Sequence, residues 1–234
     1  MGDHGAHTIL VVWKITPLVA TWITSSDNPL FKYHVLHSTS SMLELGCGIS
    51  GIIGLALGPL VQHYTLTDQE YVMKLLSQNM VDNMPSTSAS ASRGRKSKPR
   101  PQKGSAAGKL SSNVTALPLD WETDDVSSVV AGLEEGKRSF DAVITCDCIY
   151  NDCLIPPLVQ TCADACQLRR TQIEDSESEP TVCIIAQQLR SPEVFENWLK
   201  AFHKVFRVWR LPDTYLTKEL ASNSGFVIHI GILR

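Results

Sequence analysis

Short apolar runs alternate along the chain with stretches whose apolar residues recur at helical spacing. Residues 41–45, 62–67, 114–119, 140–147 and 181–186 read as buried strands, and 140–147 is the most apolar of them. Between them, 17–23, 51–57, 70–80, 126–133 and 156–168 read as helices; the second stops at Gly58-Pro59, and 70–80 places Tyr71, Leu75 and Leu76 on one face. Ser191 and Pro192 supply an N-cap and a first helical position for a helix running to Phe202. Two further β runs, 206–211 and 226–233, close the chain near enough together to pair antiparallel. Strand–helix alternation followed by a hairpin predicts an α/β fold: a doubly wound, seven-stranded, mostly parallel sheet with a C-terminal antiparallel hairpin. The chain, 1–234, is read as a single domain without internal repeats.

One stretch interrupts this pattern. Residues 84–113 are rich in Ser, Lys, Arg, Pro and Gly with almost nothing to bury, and read as a disordered basic insertion within the domain. Its centre, Arg93-Gly94-Arg95-Lys96-Ser97-Lys98-Pro99-Arg100, is a solvated spacer, a nuclear-import signal or an RNA contact. The insertion also redistributes charge. Residues 85–112 hold seven Lys/Arg and no acid, so the net −3 of the chain leaves −10 on the remainder. An acidic body favours basic partners, or simply keeps the surface solvated.

At 234 residues and 43% hydrophobic content the chain can bury a full core. No apolar run has the length of a membrane span, and no basic-then-apolar leader is seen, so no membrane partner is expected. The seven cysteines lack metal-ligand spacing, which favours reduced thiols in a cytoplasmic protein with a nuclear pool, and no metal.

The chemistry concentrates after the first strand. Met42-Leu43-Glu44-Leu45-Gly46-Cys47-Gly48-Ile49-Ser50-Gly51 reads as strand, glycine turn and helix start, and Asp68 ends the next strand twenty residues after Gly48. Gly46 and Gly48 let a ligand approach the backbone, and a carboxylate at the Asp68 position can grip a ribose diol. The spacing G-x-G-x-x-G also suits a dinucleotide, but Glu44 beside the turn would repel a pyrophosphate. S-adenosylmethionine carries an ammonium and a sulfonium and no phosphate, so it fits an acid there. The same rim receives Asp120-Trp121, as an acceptor for the adenine amino group and a cover for its ring (or a buried structural Trp). It also receives Cys146 and then Asp147, an acid at the end of an apolar strand, with Tyr150 three residues on.

Glu44-Leu45-Gly46-Cys47-Gly48, Thr67-Asp68-Gln69, Leu119-Asp120-Trp121 and Asp147-Cys148-Ile149-Tyr150 resemble the motifs of the seven-strand protein-lysine methyltransferases. Val12-Trp13 is similar to that family's N-terminal Trp, and Gly48-Ile49-Ser50-Gly51-Ile52, Thr67-Asp68-Gln69 and Trp13-Lys14-Ile15-Thr16-Pro17 look most like the fungal ribosomal lysine N-methyltransferase 5 branch. Ser50 stands where the family's third turn glycine is usual, with Gly51 displaced by one. The resemblance implies a Rossmann-like fold, S-adenosylmethionine as cofactor, and a monomer that methylates lysine in a protein, such as one of the large ribosomal subunit, with no direct nucleic-acid contact. It implies Trp13, Glu44, Gly46, Gly48, Asp68, Asp120, Trp121 and Cys146 for the cofactor. Asp147 would orient the incoming amine and Tyr150 would shape its channel, so that Asp147→Ala stops transfer and leaves cofactor binding largely intact. A nicotinamide-dependent oxidoreductase and a non-catalytic binding module of the same fold are the competing readings.

Overall fold

The computed structural model describes residues 12–83, 108–109, 113–131, 139–172 and 179–234. Eight strands form one sheet: β1 (Ser41–Leu45), β2 (His63–Asp68), β3 (Gly108–Lys109), β4 (Val114–Pro118), β5 (Ala142–Cys146), β6 (Val182–Gln188), β7 (Phe206–Arg210) and β8 (Phe226–Leu233). Their order is β3-β4-β2-β1-β5-β6-β8-β7. From β4 to β6 all neighbours are parallel, while β8 runs antiparallel between β6 and β7. The predicted fold class holds, with the two-residue β3 as an eighth strand on the far edge.

That short strand belongs to the stretch read as an insertion. Gly108 pairs with Ala116 and Lys109 with Thr115, and Asn113 donates from its amide to the Gly58 and Val61 carbonyls. The rest of that stretch lies outside the described residues. Among the described residues no helix is long and apolar enough to cross a membrane.

Helices cover both faces. On one side lie α1 (Ile15–Ile23), the short α2 (Pro29–Lys32), α3 (Ile52–Leu57) and α4 (Glu70–Asn83), packed on Met42, Tyr64, Leu66, Ile144 and Ile184. On the other lie α5 (Val126–Ala131), α6 (Ile155–Gln172) and α7 (Pro192–Val205), packed on Leu43, Leu45, Val143, Cys183 and Ile185. Alternate residues of each strand serve opposite layers, so strands covered on both faces are apolar throughout. β1 and β5 are buried at every position. The ring pair Phe202–Phe206, with centroids 4.2 Å apart, joins α7 to β7. Ser191 caps α7 through its side chain, with Pro192 at the first helical position as predicted.

The expected face of α4 is corrected. Val72, Met73, Leu76 and Met80 pack inward, whereas Tyr71 is 58% and Leu75 46% exposed. Several apolar residues on this helix compete for the sheet, and the close approach of α4 to the turn after β1 decides among them. Gly51 makes that approach possible. It has φ +53, and a Cβ there would meet Met80 Sδ at 2.6 Å and Leu76 Cδ1 at 3.0 Å. Gly51→Ala therefore combines left-handed backbone strain with a steric overlap, and should lower stability by about 2 kcal/mol. Urea denaturation measures this; no loss would mean α4 is not seated against the turn.

The chain leaves β1 toward β2 and β4, then returns to the other side of β1 to form β5. The crevice outside the carboxyl ends of β1 and β5 is thus the topological switch point, where open α/β sheets bind ligands.

Candidate functional site

A cavity of about 470 Å³ opens at that switch point, a size suited to a nucleoside-sized ligand. Its floor is the turn after β1. Gly46 has φ +68, and a Cβ there would come within 2.7 Å of Cys148 Sγ and 3.0 Å of the Trp121 ring, so only glycine lets these side chains close on the turn. Cys47 N–H donates to the Thr67 carbonyl at 3.0 Å, and Asn79 of α4 donates to the Ile49 carbonyl at 2.8 Å. The loop is therefore held from β2 and from α4, leaving its cavity side open.

Asp68 ends β2 at this floor. Its Oδ2 accepts the Gly48 N–H and its Oδ1 the Gln69 N–H, both at 2.8 Å. Burial pushes its pKa up and these two bonds pull it down. A carboxylate offers about four acceptor positions, so each oxygen retains capacity for a ligand hydroxyl. Gln69 in turn donates to Asp120 Oδ2 at 3.2 Å, and Asp120 Oδ1 accepts the Glu122 N–H at 3.0 Å. Trp121 lies against Gly46, and its indole N–H is buried without a partner among the described residues. A buried indole donor normally finds an acceptor, so this one is available to a bound molecule.

Glu44 lines the cavity as read, but not as a fixed negative charge. It is 2% exposed and accepts the Tyr64 hydroxyl at 2.7 Å. Burial pushes its pKa from 4.5 up to about 7, against the opposing Tyr64 bond and with further upward push from Asp68. The folded state then holds a proton that the unfolded chain gives up, so stability is retained below about pH 4.5 and lost as pH rises through 7. Glu44→Gln, which can still accept from Tyr64, should match the parent near pH 4.5 and exceed it by about 1–3 kcal/mol at pH 8. Urea denaturation across that range measures the difference, and a pH-independent offset would contradict it.

Asp147 follows β5 in a left-handed turn, φ +64, a conformation that Asp tolerates better than most residues. The turn throws its side chain toward the end of β6. Oδ1 accepts from Gln187 Nε2 at 3.0 Å, the Gln188 N–H at 3.2 Å and Arg190 Nη1 at 2.7 Å, while Oδ2 accepts Arg190 Nη2. Its side chain is fully buried, yet the bidentate guanidinium compensates the charge. The expectation of an acid free for an incoming amine is thus amended: Oδ1 is filled, and Oδ2 keeps an acceptor position beside Arg190. Tyr150 lines the cavity while 45% exposed, with its hydroxyl pushed up to about 12 mainly by burial. It is therefore neutral at physiological pH and can both donate and accept.

The remaining sequence-predicted residues also reach the cavity. Trp13 lines it just before α1, and Cys146 lines it with its Sγ 3.8 Å from Thr16 Oγ1; burial raises the thiol's pKa. Sequence reasoning missed Thr16, Gln69 and Tyr71 on the wall and Gln187 and Arg190 behind it. Arg190 follows the end of a strand parallel to β5, and extending the strand-end rule by one strand would have found it.

The wall carries Glu44, Asp68, Asp120, Glu122 and Asp147, and no Lys, Arg or His among the described residues. A pyrophosphate would have no cationic partner here. S-adenosylmethionine fits on three grounds: the diol acceptors left on Asp68, the orphaned indole donor, and acids facing its cationic groups. Among the described residues no group of side chains is arranged to hold a metal ion.

Comparison with known proteins follows the same line. The solved structure of a TehB-like SAM-dependent methyltransferase from Corynebacterium glutamicum has a TM-score of 0.50 at 11% identity, covering 89% of this chain and 87% of that one, which shows a shared fold. Ribosomal lysine N-methyltransferase 5 of Zygosaccharomyces rouxii is 28% identical over 81% of this chain and 62% of its own length. The protein of the same name from Eremothecium gossypii is 26% identical over 97% and 75%. The chain thus spans between about three fifths and three quarters of these relatives. A family model described as lysine methyltransferase matches residues 2–93 and 102–183, the greater part of the chain and every site residue named above except Gln187, Gln188 and Arg190. The chain belongs to the lysine methyltransferase family.

Proposed function

We propose that the protein is an S-adenosylmethionine-dependent protein-lysine N-methyltransferase whose substrate is a protein of the large ribosomal subunit. The observation that carries the reading is the acid-lined cavity at the switch point, with no basic residue among the described ones, in a chain of this family. The names of its relatives favour a ribosomal substrate. The acidic remainder of the chain suits a basic partner.

When bound, the cofactor supplies a methyl group on a sulfonium, and transfer is an in-line displacement by the substrate amine. The residues of this chain bind, orient and exclude water. Asp68 and the turn at Gly46 and Gly48 hold the nucleoside end, with Trp121 and Asp120 beside it. Lysine enters protonated, since its free pKa is about 10.4, and must lose that proton to attack. Trp13, Tyr71 and Tyr150 line the cavity with aromatic surface along which the lysine stem can pack. Asp147 Oδ2, paired with Arg190, and the neutral Tyr150 hydroxyl are the acceptors that orient the amine, whose proton leaves to solvent.

The test is incubation with tritiated S-adenosylmethionine in ribosome-containing and ribosome-depleted extract. Label in a large-subunit protein, only where ribosomes are present, is the expected result. Label in small molecules alone, or none, would overturn the proposal.

A further inference from the structure

Behind the cavity wall, one guanidinium joins three parts of the chain that are far apart in sequence. Arg190 lies just past β6, two residues beyond the last strand position. It makes the bidentate pair with Asp147 at the end of β5 and donates to Gln188 Oε1 at 2.9 Å. Its guanidinium carbon also lies over the Trp13 ring, 4.6 Å from the centroid. Trp13 lines the cavity and Arg190 does not. The pairing is therefore with the wall, and the ligand is reached only through the indole.

The chemistry of the contact explains the residue type. A guanidinium is planar, always charged and weakly hydrated, so it can fork onto a carboxylate and stack on an aromatic face at once. Asp147 cannot move: its backbone N–H donates to the Ala186 carbonyl at 2.8 Å, and Oδ1 is fixed by Gln187 and Gln188. Arg190 inherits that rigidity and passes it to Trp13. A second contact supports the same junction, because Cys146 Sγ meets Thr16 Oγ1 at the start of α1. Apart from these ties, Trp13 stands half-buried just ahead of α1, and its carbonyl accepts the Thr16 N–H at 3.1 Å.

We propose that Arg190 is a positioning residue for the cofactor: anchored on Asp147, it clasps the Trp13 ring at the cavity wall, so that the indole is held in place against the bound nucleoside. The inference rests on the S-adenosylmethionine reading of the cavity. It also gives Asp147 a second task, since the same carboxylate that faces the amine holds the clasp.

A double-mutant cycle tests it by calorimetric titration of S-adenosylhomocysteine into the full chain, using Arg190→Gln, Trp13→Leu and the double variant. Arg190→Gln and Trp13→Leu should each weaken binding about tenfold, about 1.4 kcal/mol, and the double variant no more than either alone. Arg190→Lys keeps the charge opposite Asp147 and so stays folded, and should fall between parent and Gln. Melting temperatures of the free variants are measured alongside. A merely structural Arg190 would lower them in both backgrounds and leave the affinity of the folded protein unchanged. If the parent binds and Arg190→Gln and Arg190→Lys bind equally well, or if the two losses add, the clasp is overturned. If the parent itself does not bind S-adenosylhomocysteine, the cofactor reading fails instead. Parent-like binding with faster methyl transfer in Arg190→Gln would also overturn it, making Arg190 a plug on Asp147.

Discussion

Asp68→Ala should weaken S-adenosylhomocysteine binding about a hundredfold, about 2.7 kcal/mol, while the free protein stays folded. Two losses combine. The carboxylate fixes the Gly48 and Gln69 N–H groups at 2.8 Å each, so its removal loosens the turn that forms the cavity floor. It also removes the acceptors for the ribose diol, and hydrogen bonds to a charged group are worth about 1.5–3 kcal/mol. Asp68→Asn separates the two, because a carboxamide retains one acceptor but cannot receive both backbone donors. It should lie between Ala and the parent. Calorimetry reads both variants, and unchanged affinity in Asp68→Ala would remove this residue from the nucleoside.

Asp147→Ala has the other large effect. Methyl transfer should fall by at least about a hundredfold, the usual scale for misplacing a reacting group. The sequence-based expectation is that cofactor binding stays intact; the proposed clasp predicts otherwise. Losing the carboxylate releases Arg190 and should weaken S-adenosylhomocysteine binding by about the same tenfold as Arg190→Gln. Stability should also drop, by about 1–3 kcal/mol. Removing one partner of a buried ion pair costs more than that when the other stays buried, but the Arg190 side chain is 33% exposed and can be re-solvated. Single-turnover transfer, binding and urea denaturation of one variant separate the three effects. Transfer within threefold of the parent would remove Asp147 from the amine's path.

The parts of the site visible in the sequence are those encoded within one strand and the residues that follow it. An apolar strand running into Gly46-Cys47-Gly48 announces a turn that a ligand can approach, and Asp68, Asp120 and Asp147 each end such a strand. Parallel packing then brings these ends to one rim without further information. What stayed hidden depends on lateral neighbours. The charge of Glu44 is set by Tyr64 on the adjacent strand and by burial between two layers. The face of α4 is chosen by contact with Gly51, because Tyr71, Val72, Leu75 and Leu76 offer more than one apolar stripe. Arg190 finds Asp147 43 positions away only because β6 lies beside β5 and Asp147 adopts a left-handed turn toward it. Its contact with Trp13 spans most of the chain and leaves no local signal.

An acid-lined cavity, with no basic side chain among the described residues, holds a cationic nucleoside at the switch point of the sheet. Competitive calorimetric titration of the intact protein with S-adenosylmethionine and with NADH tests it most directly. Saturable, near-stoichiometric binding of S-adenosylmethionine, unaffected by excess NADH, is the predicted result; saturable binding of NADH, or of neither, would contradict it.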